Sequence, residues 1–378
     1  MSLILGIETS CDETAAAVVR DGSEVVASVL ATSSDIHLKT GGVIPEVAAR
    51  KQVEYIIPVV EGCLLKAGVE SAGLSAIAVT VGPGLIGSLI VGVETAKALS
   101  LAWGKPLIPV NHLVGHIYGN FINKDPSEIK FPAVVLIVSG GHTDLVLMKG
   151  HGNFKYIGGT LDDACGEAFD KSARLLGLAP YMGGPAIAKA ALVWEETLKK
   201  GEVKTSFTFK RPMIGSKDFN FSFSGIKTAV MAKVKNRHPA IGPAASFWRQ
   251  PESKNVDSGF RWNDKQGAGF NSDAYEIAYE FQEAITDVLV AKTVKAAKEY
   301  NVNSVMLAGG VSANTNLREK FKNALLKTSH KLFVPPIELC TDNAIYIASC
   351  AHFNFKPVSY EKVIADPSLT IMSSAALQ

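Results

Sequence analysis

Along this chain, short apolar runs ending in small polar loops alternate with longer segments whose apolar residues recur every three or four positions. Leu3-Ile4-Leu5-Gly6-Ile7 leads into the polar stretch Glu8 to Glu13, and apolar residues return from Ala15 to Val19. That pattern predicts a strand, a tight polar turn and a second strand, with Arg20-Asp21-Gly22-Ser23 turning into a third strand over Glu24 to Leu30. The same form returns from Phe131 to Met148. A strand meets Ser139-Gly140-Gly141-His142, a strand comes back, and Lys149 to Gly152 turns toward a short strand at Phe154 to Ile157. We read an internal duplication, each copy founding one lobe.

Between the copies, Ile44 to Gly68 has mostly helical spacing. A buried strand over Ile77 to Val81 then runs through Gly82-Pro83-Gly84 into a helix from Leu85 to Trp103, stopped by Gly104. The helix N–H groups facing that turn make it phosphate-tolerant, although such turns are also plain connections. Beyond the second copy, helices are expected over Leu161 to Leu176, Ala186 to Lys199 and Tyr275 to Tyr300, and Asp218 to Val230 leads from a loop into a further helix. Ser206 to Lys210 reads as strand-like, Ser304 to Ala308 as a buried strand before a glycine turn, and Asn314 to Leu325 as a helix. Leu332 to Cys340 reads as a strand, and Thr341-Asp342-Asn343-Ala344 opens the last helix. Residues 236–272, rich in Pro, Gly, Asn and Ser with scattered aromatics, read as an inserted loop. The pattern implies an α/β protein of two similar lobes around a central cleft. We expect residues 1–130, completed by 345–378, to form the first lobe and 131–344 the second.

Composition adds limits. A length of 378 residues suits two domains, and 47% hydrophobic with 20% charged residues is ordinary for a globular enzyme. A net charge of +2 argues neither for nor against a nucleic-acid partner. Five scattered cysteines without a C-x-x-C pair point to a reducing compartment. The most apolar long stretch, Leu85 to Trp103, is interrupted by Glu94 and Lys97, and no run approaches the roughly 20 residues of a membrane helix. With the first strand starting at Leu3 there is no room for a targeting segment, so a cytoplasmic protein without membrane contact is expected.

The chemistry centres on His112-Leu113-Val114-Gly115-His116. Two histidines four apart on a helix share one face and can share one divalent ion; the other reading is a pair of helix histidines without a metal. Glu8, Asp12 and Glu13 crowd three acids into one loop, which suits Mg2+ near a phosphate or a solvated hairpin. His142, after the glycine pair, is either a general base or a hydrogen-bonded structural residue.

Together, eight stretches resemble the tRNA N6-adenosine threonylcarbamoyltransferase family. They are Gly6 to Thr14, Gly82-Pro83-Gly84, His112-x-x-x-His116, Val138 to Thr143, Gly166 to Lys171, Phe221 to Thr228, Gly309 to Asn314 and Cys340 to Asn343, in family order over most of the chain. The resemblance implies a fold of the actin, sugar-kinase and Hsp70-ATPase type, built of duplicated ribonuclease-H-like units. It implies transfer of a threonylcarbamoyl group from threonylcarbamoyl-adenylate to N6 of the adenosine 3′ to a tRNA anticodon. It also makes Asp342 a third metal ligand beside His112 and His116, holding Fe2+ or Zn2+; its local setting alone suggests only a helix N-terminal carboxylate beside a capping Thr341.

By the same resemblance Ile137, Val138, Ser139, Gly140 and Gly141 hold the adenylate phosphate, while Asp170, Gly183 and Asn314 bind the rest of the nucleotide. Unaided, these read as a hairpin turn, a solvated carboxylate, a turn glycine and a helix cap. The family further implies a catalytically inactive paralogue, a small ATPase partner, and Mg2+/ATP for turnover. Lys199, Lys200, Lys204, Lys210 and Arg211 could meet tRNA phosphates or form a solvated face.

Met182 stands where the family usually has proline, and residues 236–272 are longer than the usual bacterial connection. Competing readings are a metallopeptidase, disfavoured because Leu113 stands where H-E-x-x-H enzymes carry their base, an actin- or sugar-kinase-like ATPase, and a non-catalytic scaffold, which would lack the histidine pair.

Overall fold

In the computed structural model, residues 1–237 and 268–373 are described. Most of the expected insertion, 238–267, lies outside the described residues.

The first polar loop separates β1 (Leu3–Glu8) from β2 (Glu13–Arg20), and β3 (Glu24–Thr32) follows. Then come α1 (Ser34–Thr40), α2 (Pro45–Ala67), β4 (Ala76–Gly82), α3 (Ile86–Trp103), β5 (Leu107–Asn111) and α4 (His112–Tyr118). The second half repeats the plan with β6 (Ala133–Val138), β7 (Thr143–Gly150), β8 (Asn153–Gly159), α5 (Cys165–Leu175), α6 (Gly183–Lys199), α7 (Ser224–Arg237) and α8 (Ala268–Glu299). It closes with β9 (Ser304–Ala308), α9 (Thr315–Leu325), β10 (Lys331–Phe333) and α10 (Ile345–Phe353).

The duplication is visible in the sheets. Their orders are β3-β2-β1-β4-β5 and β10-β9-β6-β7-β8, the same topology twice. In each, a hairpin strand is antiparallel to the founding strand, and the strands on its other side are parallel to it. Parallel strands need both faces covered, and the alternation of side chains supplies two cores. Leu5 and Ile7 of β1 point toward Ile56, Val59, Val93 and Ala96 of α2 and α3. Ile4 instead joins Val135 and Ile137 of β6 in a core shared between the sheets and filled by Leu113, Ile117, Tyr346 and Ile347 from α4 and α10. The opposite face of β6, through Val134, Leu136 and Val138, packs on Phe281, Ile285 and Val288 of α8.

Four expectations change. Ser206 to Lys210 forms no strand; the Ser206 N–H and hydroxyl bond the Glu276 carboxylate instead of a neighbouring strand. The predicted strand from Leu332 to Cys340 shrinks to β10, because Pro335 and Pro336 lack the N–H groups a ladder needs. The helix expected from Tyr275 begins at Ala268. By length and composition α3 is apolar enough to cross a membrane, but Ser88, Leu89, Gly92, Val93, Ala96 and Ser100 are buried within the fold, where α3 covers β4.

Helix α10 lies directly on β1, and Gly6 sets the distance. A Cβ at Gly6 would collide with the Ala344 carbonyl oxygen and lie 2.9 Å from the Ala348 nitrogen, both backbone atoms. Gly6→Ala is therefore expected to lower stability by about 1–3 kcal/mol, the usual cost of overpacking. Urea unfolding measures it; an unchanged midpoint would mean that α10 shifts freely.

Candidate metal centre

Helix α4 starts where β5 ends because Asn111 caps it, its Oδ1 accepting from Leu113 N (3.0 Å) and Val114 N (3.3 Å). His112 and His116 therefore fall one turn apart on one face, with ring centroids 4.6 Å apart at 74°. Both Nε2 atoms face Asp342 Oδ1, at 3.5 Å from His112 and 3.3 Å from His116. Asp342 is free to do so because α10 is capped by Asn343, whose Oδ1 accepts from Ile345 N and Tyr346 N, and not by Thr341 as the sequence suggested. The three donor atoms lie within 4.8 Å of one another, and two imidazoles with one carboxylate are a donor set that suits a transition metal. The residues present thus fit a divalent ion.

Electrostatics support a cationic occupant. Burial alone would lower the His112 pKa, but the Asp342 and Glu8 carboxylates outweigh it and raise it to about 9. Burial also acts on Asp342, yet the two histidines hold its carboxyl at about 2. His116 is pushed down, first by burial and then by the charge on His112. Without a metal, one proton on His112 balances the Asp342 carboxylate.

The three loop acids have different partners. Glu8 is completely buried and spoken for: its carboxylate accepts from Ser10 N and Thr80 Oγ1, both at 2.6 Å, and lies 3.1 Å from His112 Nδ1. Asp12 accepts a 3.0 Å hydrogen bond from Tyr181 Oη, across from the loop that precedes α6. Burial, then a hydrogen bond with Asp12, pushes the Glu13 carboxyl well above the usual carboxylate range.

Ile137 and Val138 are core side chains whose backbones pair with β7 and β9 or with β7 alone, and the Ser139 N–H closes a turn on the His142 carbonyl. The open part of this loop is Gly140-Gly141: a Cβ on either would meet nothing within 4 Å, and neither has a positive φ. The start of α5 packs beneath it, with Gly166 N donating to Ser139 O at 3.1 Å. His142 is partly buried, and its pKa is lowered by burial and then by the nearby charge of His112 and His116.

Asp170 and Gly183 meet directly, Asp170 Oδ1 accepting from Gly183 N at 2.7 Å. Asn314 caps α9 through Leu317 N and donates to Gln282 Oε1, so both ends of its amide are engaged. Met182 holds φ +54°, which proline cannot adopt, so the loop takes a path the usual family residue would forbid. Lys200, Lys204 and Lys210 are exposed, Lys199 pairs with Glu195, and Arg211 is committed to Asp287.

Two residues around the centre escaped the sequence reading. Thr80 bonds Glu8, and its signal was a polar residue inside the apolar run Ile77 to Val81. The completely buried Tyr346 puts its hydroxyl 3.5 Å from His116 Nε2; it lies four positions after Asp342, one helical turn on.

With this geometry in view, the chain's relatives are informative. The family model for TsaD, the tRNA N6-adenosine threonylcarbamoyltransferase, matches residues 24–349. The curated enzyme of that name from Thermomicrobium roseum is 47% identical over 357 residues, covering 93% of this chain and 91% of the relative. The one from Bacillus subtilis is 44% identical over 354 residues, covering 93% and 90%. Among solved structures, HypF from T. kodakarensis superposes with a TM-score of 0.56 at 12% identity, over 94% of this chain and 48% of that one, a likeness of fold. This chain belongs to the tRNA N6-adenosine threonylcarbamoyltransferase family, transferases that modify tRNA.

Proposed function

We propose that the chain moves a threonylcarbamoyl group from threonylcarbamoyl-adenylate to N6 of the adenosine 3′ to a tRNA anticodon, at a metal centre of His112, His116 and Asp342. The observation that carries the metal assignment is the approach of both histidine Nε2 atoms to one carboxylate oxygen, at 3.5 and 3.3 Å. Two histidines and one carboxylate with open positions suit Fe2+, with Zn2+ as the second reading. When bound, such an ion supplies positive charge and open coordination positions for the acyl oxygens of the donor.

The protein groups have their own work. The N6 lone pair is delocalised into the adenine ring, so the amine is a weak nucleophile, and orientation must make up much of the barrier. The open Gly140-Gly141 backbone over the start of α5 holds the adenylate phosphate, glycine allowing close approach. As the N6–carbon bond forms, the carbon–oxygen bond to AMP breaks. His142 takes the proton the amine loses; supporting this is an imidazole kept neutral by burial beside the histidine pair. Asp170, Gly183 and Asn314 bind the nucleoside portion of the donor.

The same reading includes a catalytically inactive paralogue and a small ATPase with Mg2+/ATP. Supporting a protein contact, Val53 and Ile57 on α2 and Ile86 and Ile90 on the neighbouring α3 are exposed apolar pairs. The five free cysteines support a cytoplasmic setting. The peptidase alternative loses its base, since Leu113 is buried in the shared core.

The direct test incubates tRNA with the protein, an adenylate source and the partner proteins, followed by nucleoside mass spectrometry. N6-threonylcarbamoyladenosine is expected with wild type and absent with His112→Ala, whose circular dichroism should be unchanged; full transfer by the mutant would refute the assignment. Metal affinity is also expected to rise with pH. The metal-free His112 proton, with its pKa of about 9, must leave before Nε2 can coordinate. Apparent affinity should climb about tenfold per pH unit from neutrality and level off near pH 9, with roughly one proton released per ion. Calorimetry in buffers of different ionisation enthalpy measures both, and a flat profile would contradict the proton's place on His112.

A further inference from the structure

We infer that Glu8 is the positioning residue of the metal centre: its carboxylate holds the His112 proton on Nδ1 and so commits Nε2 to the ion. The inference rests on the metal reading above and adds the residue that prepares the site. Glu8 ends β1, is fully buried, and its carboxylate has three hydrogen-bonding neighbours, Ser10, Thr80 and His112, with the Glu13 carboxyl also close enough to interact with it. Ser10 N bonds Oε1, Thr80 Oγ1 bonds Oε2, and His112 Nδ1 lies 3.1 Å from Oε2. An ionised carboxylate only accepts, so the contact requires a proton on Nδ1. Ser10 Oγ lies farther from Nδ1, at 3.3 Å, and serves as a weaker neighbour.

Once Nδ1 carries the proton, the neutral imidazole has its lone pair on Nε2, the atom facing Asp342. The anchor is stiff, because Glu8 and Thr80 lie at the ends of β1 and β4, which pair in parallel through Ile7 and Val79. His116 has no such help: its Nδ1 is buried without a hydrogen-bond partner among the described residues. A ligand histidine held by an outer carboxylate keeps its ring orientation and gains basicity, and losing that partner usually costs about 10–100-fold in metal affinity. By this assignment Glu8 is unavailable to Mg2+, which leaves Asp12 and Glu13 as the acids of the loop.

The test uses the full chain and Zn2+ as the probe, with affinity read by competition against a coloured chelator. Wild type, Glu8→Gln, Ser10→Ala and His112→Ala are compared after circular dichroism and melting of the metal-free proteins. Glu8→Gln is expected to bind Zn2+ about 10–100-fold more weakly than wild type, with a smaller loss in Ser10→Ala. Nitrogen-15 NMR of zinc-loaded wild type should show His112 protonated on Nδ1, the peak assigned by its absence in His112→Ala. This measurement decides the matter even where Glu8→Gln does not fold. Wild-type affinity in a folded Glu8→Gln, with His112→Ala impaired, overturns the role of Glu8 and leaves the metal centre standing; coordination of His112 through Nδ1 does the same. A wild-type protein that takes up no Zn2+, or a His112→Ala that binds it equally well, removes the metal centre itself and this inference with it.

Discussion

The packing of α10 on β1 is the constraint that the candidate site depends on. Gly6 lets the Ala344 to Ala348 turn of the helix sit against the strand. That approach carries Asp342, just ahead of the helix, to the histidines of α4. The other participants arrive by sheet topology. β1, β4 and β5 run parallel, so Glu8, Thr80 and the Asn111-His112 junction gather at the same ends of their strands. Carboxyl ends of strands in an open α/β sheet are where ligands usually bind. The second sheet repeats the arrangement, and the loop after β6 brings Gly140, Gly141 and His142 toward the same region.

The charges explain why such a site is poised for a cation. Glu8, Asp12, Glu13 and Asp342 place four carboxyl groups within mutual influence, and buried negative charges are costly unless compensated. Two upward shifts ease the cost: Asp342 and Glu8 favour the charged form of His112, and burial with its acidic neighbours favours the neutral form of Glu13. A divalent ion between the histidines and Asp342 would supply the positive charge that the His112 proton now supplies. In the proposed centre, metal uptake and proton release would thus be linked in one cluster of side chains.

Much of this was legible in the residues. The strand–loop–strand form at Leu3 to Val19 and again at Phe131 to Met148 announced the duplication, and the sheets repeat one order. The histidine pair was readable because helical spacing is local. Asp342 was not, since its neighbours favoured a cap; the resemblance alone singled it out. The Glu8–His112 contact spans 104 positions and leaves no local trace, so Glu8 read as one of three loop acids suited to Mg2+ or to a solvated hairpin. Ser206 to Lys210 misled because an extended, alternating stretch resembles a strand whether or not a partner strand exists, and here a glutamate takes its hydrogen bonds. Asn314 offered only the signal of a helix cap, and it does cap α9.

Anomalous diffraction from crystals of the protein loaded with its native metal, recorded above and below that metal's absorption edge, is the most direct measurement of the central claim. The expected result is one strong peak about 2.0–2.2 Å from His112 Nε2, His116 Nε2 and an Asp342 oxygen, with at least one side open to the cleft. A peak held instead by Asp12 and Glu13, or no peak between the histidines in metal-replete protein, would contradict it.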